Sequence, residues 1–438
     1  MHLRDLSTVQ PGCVLSKSIY TDSGGVLLAE GTTLSASYID ALRRRGHLVV
    51  YIEDGFSDDI QPVEIVSEQV RASTAVHLAK MFDVVASAAG VTAGAARPQG
   101  KNGKGGLDLD ERELGLPSQG LSLLEALYRD VELIMSEILE SNTVASLATL
   151  RTHSDYTFEH SVEVAIIATL LGRHLGLPIP QIREVALGAL LHDIGKISID
   201  QAILNKPGRL TTDEFATIKE HPSLGFELVR RLPLPSILPA HVAFQHHERQ
   251  DGSGYPRGLV GNNRILRLEA ERLRPSRIVL IAEIAAVADV FCALASERPY
   301  KPAFPLDRVR SILDGLAGHH LNRDVVTALL RVVPMYAVGH WIEVTSGPYQ
   351  GWRGVVAEVD VRALHAPSIR LHLDAAGESV TDPVELDLRQ HEGTQLTCLP
   401  PGQDPTSRSV TRFAPRAPEM DGQAEREASG ALTVLKPS

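Results

Sequence analysis

Between residues 121 and 335 the apolar positions recur at three- and four-residue spacing. The runs LSLLEALYRDVELIMSEILES, HSVEVAIIATLLGRHLG, IREVALGALLHDIG, DEFATIKEH and RIVLIAEIAAVADVFCALA each gather their apolar side chains on one helix face. This stretch is expected to be all-α. On either side the period shortens to two. Before it, GGVLLAE and HLVVYIED flank SASYIDALRRRG, whose Ile39 and Leu42 are spaced to share a helix face, so a small α+β module is expected over residues 1–85. After it, HWIEVTSGPYQGWRGVVAEVD and SIRLHLDAAG alternate and are joined by Gly/Pro turns, which predicts a small β-barrel or sheet over 338–402. Two stretches carry no period. Residues 86–120, rich in Gly and Ala, read as a flexible linker, and 403–438, polar and Pro-rich, as a disordered tail. The expected fold class is therefore multidomain: an all-α domain over 121–337, with a small N-terminal α+β module and a small C-terminal β appendage.

Composition supports ordered globular domains. The chain has 438 residues, 43% hydrophobic and 22% charged, which excludes a wholly disordered chain. Its three cysteines, Cys13, Cys292 and Cys398, lie far apart without CxxC spacing. A zinc knuckle or disulfide scaffold is thus disfavoured, and a reducing cytoplasm is expected. The opening MHLRDLSTVQPG lacks a basic-then-apolar signal, and each apolar run stops short of the roughly 18 residues that span a bilayer. Membrane insertion is not expected. A net charge of −11 argues against binding a nucleic-acid polymer, which needs a basic footprint; Arg43, Arg44 and Arg45 read as a solvated helix face.

The seventeen histidines change the picture, because imidazole is the side chain best suited to neutral-pH proton transfer and transition-metal binding. His160, His192 and Asp193 in HDIGK, His221 in KEHPSLG, His246 and His247 in QHHERQDGSGYP, and Asp289 in VADVF fall within the helical stretch. Imidazole and carboxylate together suit Fe, Mn, Zn or Co, and a carboxylate can bridge two such ions, an arrangement used in phosphoester hydrolysis. Single histidines elsewhere (His47, His77, His153, His174, His241, His319 and His320) read as structural or surface residues.

Seven ordered segments then carry a resemblance: YTFEHS (156–161), LLHDIGKI (190–197), ILNKPGRLTTDEF (203–215), IKEHPSLG (218–225), HHERQDGSGYP (246–256), AVADVF (286–291) and SERPYK (296–301). Over roughly 121–337 the chain resembles the HD-GYP family of cyclic dinucleotide phosphodiesterases, a branch of the HD metal-dependent phosphohydrolases. The resemblance implies an HD-type helical fold and two divalent metal ions, iron or manganese. It implies that His160, His192, Asp193 and Asp289 bind one ion, and that Asp193 bridges to a second held by His221, His246 and His247. The implied reaction is in-line attack of hydroxide on phosphorus, opening cyclic di-GMP to pGpG, with GMP as a further product. Lys196 would stabilise the developing charge. Arg298 and Lys301 would contact phosphate and guanine, and the turn Gly254-Tyr255-Pro256 would shape the site, with Tyr255 beside the substrate.

The chain also departs from the family pattern. Tyr156 stands where members with a third metal place a glutamate, so two ions are expected. Cys292 replaces a second aspartate one turn after Asp289 and cannot supply its fixed charge. The segment between the GYP turn and Asp289 is longer than usual. The alternatives that remain open are a degenerate module that senses a cyclic dinucleotide or contacts a protein partner, a hydrolase of a hybrid cyclic GMP-AMP, and a hydrolase of mononucleotides or alarmones, which the GYP turn disfavours. A homodimer paired through the helix near Leu121–Leu150 and a signalling protein partner are admitted by the pattern. The N-terminal module shows no phosphoacceptor constellation.

Overall fold

The computed structural model describes residues 2–21, 25–45, 47, 49–53, 55, 57–60, 65–90, 114–140, 156–206, 208–266, 275–295, 304, 306–334, 336–360, 362–391 and 393–399. The expected tail and most of the expected linker lie outside them.

At the N-terminus β1 (His2–Asp5) pairs antiparallel with β4 (Val49–Ile52), and β2 (Ile19–Tyr20) with β3 (Val26–Leu28). Helix α1 (Ala36–Arg44) lies between them in sequence, started by Ser35, whose side chain accepts from Tyr38 N as an N-cap should. Leu6, Leu15, Leu34, Ile39, Leu42, Val50 and Ile52 form this module's own core. The α+β expectation and the Ile39/Leu42 face are both seen.

Helix α2 (Glu68–Ala88) was not foreseen by the periodicity. It crosses the boundary expected at residue 85, and Val70, Leu78, Met81, Phe82 and Val85 enter the large helical core rather than the N-terminal one. Polar residues on its buried face obscure the pattern: Thr74 is fully buried and bonds back to Val70 O, and His77 Nδ1 lies 2.7 Å from Asp130 Oδ2. Its N-terminus is satisfied from outside. The carboxylate of Glu137 accepts from Ser67 N (2.6 Å) and Ser67 Oγ (2.9 Å), covering an otherwise orphaned helix end.

Glu137 and Asp130 belong to α3 (Ser118–Glu140), which is followed by α4 (Tyr156–His174), α5 (Ile179–Leu191), a 3-10 turn (Ile194–Ser198), α6 (Gln201–Leu204), α7 (Thr212–Ile218), α8 (His221–Val229), α9 (Leu238–Gln245), α10 (Leu280–Ala295), α11 (Leu306–Leu316) and α12 (Arg323–Leu329). Helices α4, α5 and α10 are apolar nearly all round and sit at the centre, the pattern of a buried helix. Because their flanks are packed, the polar residues they do carry are held firmly. The all-α expectation stands for this region.

The C-terminal β5 (Trp341–Ser346), β6 (Arg353–Glu358), β7 (Ser368–Leu373), β8 (Ser379–Asp387) and β9 (Gln395–Cys398) form one antiparallel sheet in the order β8-β7-β6-β5-β9. Ile342, Val344, Val356, Ile369, Leu371 and Leu386 give it a separate core. Arg370 Nη1 reaches Asp59 Oδ1 in the N-terminal module at 2.6 Å. Among the described residues no helix is long and apolar enough to cross a membrane, and the three cysteines are free thiols.

Candidate metal centre

The helical core brings seven dispersed residues to one place. His160 lies in the second turn of α4; His192 caps the C-terminus of α5 and Asp193 starts the 3-10 turn; His221 opens α8; His246 caps α9 and His247 follows; Asp289 is in the middle of α10. All seven are almost fully buried. Two compact groups result, His160/His192/Asp193 and His221/His246/His247, the donor atoms within each lying within 4.8 Å of one another. Asp289 joins the first through a 3.0 Å contact from its Oδ1 to His160 Nε2. Asp193 faces both groups: its Oδ2 lies 3.3 Å from His192 Nε2, and its Oδ1 lies 3.4 Å from His221 Nε2 and 3.9 Å from His246 Nε2.

Close approach of the backbone makes this possible. A Cβ on Gly195 would lie 2.0 Å from His221 O and 2.6 Å from Gly225 N, so only glycine lets the 3-10 turn press against α8 and bring Asp193 to His221.

Backbone carbonyls orient the imidazoles. His192 Nδ1 donates to Ala189 O (2.7 Å), His221 Nδ1 to Ile218 O (2.7 Å) and His246 Nδ1 to Ala243 O (2.9 Å). A carbonyl can only accept, so Nδ1 carries the proton, and a neutral ring then presents the Nε2 lone pair to the centre. Burial pushes His221 down to about 3 and His246 to about 4, and it lowers His247 and His160 as well, so these rings are neutral at physiological pH. For His192 burial acts downward but the Asp193 carboxylate outweighs it, and the net direction is up. Asp193 shows the converse: burial opposes its charge, and His192 and Lys196 hold it well below the usual carboxylate range. Asp289 is likewise held down by His160 against burial.

This donor set fits a cation. His221 Nε2 and His246 Nε2 face each other at 3.2 Å as two lone pairs, and the buried Asp193 Oδ1 accepts no hydrogen bond among the described residues. Both features are unfavourable in a dry interior without positive charge. Lys196 supplies part of it, donating from Nζ to Asp193 Oδ2 at 2.5 Å.

The GYP turn forms one wall. The Tyr255 ring stacks on His247 with centroids 4.8 Å apart, and Lys219 Nζ sits 5.3 Å from the centre of the same ring. Gly254 is obligatory, since a Cβ there would lie 2.4 Å from Arg249 N. Glu248, to which the sequence pattern assigns no role, holds the turn: its Oε1 accepts from Arg257 N and its Oε2 from Leu259 N, both at 2.8 Å. Also missed was a buried network in which Gln250 Nε2 and Asn322 Nδ2 donate to opposite oxygens of Glu283 (2.9 and 2.8 Å), tying the GYP segment and α12 to the base of α10. The acid following two histidines was the one available signal for Glu248; nothing in local spacing links residues 250, 283 and 322.

Arg298, Lys301 and His153 lie outside the described residues, as does the Tyr156 side chain. Cys292 is fully buried one turn after Asp289. Burial, then the Glu163 and Asp289 charges, push its thiol well up, so it is an uncharged neighbour of the site.

Comparison with known proteins agrees with this geometry. The HD domain family profile matches residues 134–325. A cyclic di-GMP phosphodiesterase of Pseudomonas aeruginosa is 36% identical over 245 residues, covering 56% of this chain and 54% of that protein. A cyclic di-GMP phosphodiesterase response regulator of Xanthomonas campestris is 37% identical over 227 residues, or 51% of this chain and 56% of its own. A 3′3′-cGAMP-specific phosphodiesterase of Vibrio cholerae is 36% identical over 162 residues, 37% and 32% of the two chains. The chain spans about half the length of the first two relatives. With the buried histidine-aspartate centre and the GYP turn standing inside the matched region, residues 134–325 match the HD domain family and are similar in sequence to the cyclic di-GMP phosphodiesterases above.

Proposed function

We propose that the chain is a metal-dependent phosphodiesterase that hydrolyses cyclic di-GMP to pGpG, with GMP as a further product. The observation that carries this reading is the pair of buried donor groups sharing Asp193. His160, His192, Asp193 and Asp289 would hold one divalent ion, and Asp193, His221, His246 and His247 a second. Iron or manganese suits this mixture of imidazole and carboxylate. When bound, such ions polarise the phosphate and lower the pKa of water.

The chain's own residues do the rest. Carbonyl-anchored Nδ1 protons keep His192, His221 and His246 in the ligating tautomer. Lys196, fixed on Asp193, places an ammonium where negative charge develops as water adds to phosphorus and the bond from phosphorus to the 3′ oxygen breaks. The proton from water ends on that 3′ oxygen, so one water is consumed per diester opened. Tyr255 offers an aromatic face at the rim, and Arg298 and Lys301 are proposed to meet phosphate and guanine.

Purified protein loaded with iron or manganese and mixed with cyclic di-GMP is expected to release pGpG. Asp193→Ala is expected to abolish release and lower the bound metal while leaving the far-UV circular dichroism unchanged; full turnover by that variant would overturn the assignment. The likeness to a 3′3′-cGAMP-specific phosphodiesterase favours a second substrate reading, the hybrid cyclic GMP-AMP, and competition between the two nucleotides decides between them.

A further inference from the structure

Among the described residues α4 runs from Tyr156, and His160 stands in its second turn. His160 must hold its 3.0 Å relation to Asp289 on α10. The anchors come from α2, which lies outside residues 134–325. On one side of His160, the Phe158 ring meets Phe82 of α2 edge-on, with centroids 5.2 Å apart. On the other side Glu163, one turn later and so on the same face as His160, lies with its Oε1 3.6 Å from Arg71 Nη2 of α2. Both side chains of that pair are nearly buried, at 12% and 8% exposure. A buried pair is a poor source of net stability but fixes the relative position of its elements, because leaving either charge alone is costly. Arg71 also lines a cleft of about 190 Å³ whose walls include Tyr20 and Thr21 of the N-terminal module and Glu159 of α4.

We propose that α2 is a positioning element for the His160/Asp289 half of the metal centre, acting through the Arg71–Glu163 pair. The inference rests on the metal-dependent reading above and adds a residue outside the HD domain to the set that shapes the site. Arg71 touches neither metal nor substrate; it acts through α4.

The test uses the full chain, stripped with chelator and titrated calorimetrically with Mn(II) alone, well below the unfolding temperature. In the parent, two binding events are expected. Arg71→Met keeps the aliphatic stem and removes the charge, and Glu163→Gln removes the partner charge. Each is expected to weaken one event about 10- to 100-fold, the range for residues that orient metal ligands, and to leave the other unchanged. The double variant is expected to be no worse than either single one, and Arg71→Lys to recover most of the affinity. A purely structural role would lower the melting temperature and leave Mn(II) affinity alone. Arg71→Met that binds Mn(II) as the parent does, or that weakens both events equally, overturns the inference. A parent that binds no Mn(II) overturns the metal-dependent reading and this inference together. Should Arg71→Met fail to fold, Glu163→Gln against Arg71→Lys gives the same comparison.

Discussion

His221 and His246 show how a single residue's surroundings decide its chemistry. Both rings are held neutral by burial, at about 3 and about 4, whereas in the unfolded chain each titrates near 6.5. A group whose folded pKa is depressed binds its proton more weakly in the native state, so acid favours unfolding. Chelator-treated protein is therefore expected to be most stable above about pH 6.5 and to lose stability steadily as the pH falls towards 4. Thermal melts across that window check this, and a flat profile would contradict it. Cys292 gives a second prediction at this scale. Glu163 and Asp289 already place negative charge near it, so Cys292→Asp is expected to destabilise the chelated protein by about 3 kcal/mol or more, the cost of an uncompensated buried charge, without raising hydrolysis. Chemical denaturation and initial rates measure both, and a sharp rise in rate would make the natural chain a degenerate sensor. The residues proposed as ligands were legible in the sequence as candidates because each stands in a short motif. Glu248 and Glu283 were not, because their partners are backbone N–H groups and amides brought close only by the fold.

Among elements, the GYP turn is held from below by one carboxylate. Glu248→Ala leaves Arg257 N and Leu259 N without their acceptor, at about 1–3 kcal/mol for each donor left buried. The stack of Tyr255 on His247 should loosen with it. The expected result is a lower melting temperature and a raised KM for the dinucleotide, with bound metal retained; unchanged KM would show that the turn does not shape the substrate site. Periodicity reads element type well here and partnership badly. Helices α4, α5 and α10 announce themselves as apolar runs, but α2 mixes Thr74 and His77 into its buried face and was passed over. Its companionship with α3 and α4 depends on Glu137, Asp130 and Glu163, which are distant in sequence.

Over the whole molecule, the changes of period along the chain announce the three kinds of architecture that the structure shows. The packing of α2 into the helical core could not be read from composition, which sees only a Gly/Ala-rich stretch after it. The Asp59–Arg370 contact was equally invisible, being an exposed pair across more than three hundred residues; such pairs contribute little. The acidic total of −11 does not preclude the proposed anionic nucleotide substrate, because Lys196 faces the candidate centre and the divalent ions proposed for it would add positive charge. The central claim is metal-dependent opening of a cyclic dinucleotide. It is tested most directly by a paired measurement on one preparation: metal content by elemental analysis, and pGpG released from cyclic di-GMP before chelation, after chelation and after restoring iron or manganese. About two ions per chain are expected, with release that stops on chelation and returns with metal; a chain that holds its metal yet opens no cyclic dinucleotide would overturn metal-dependent hydrolysis.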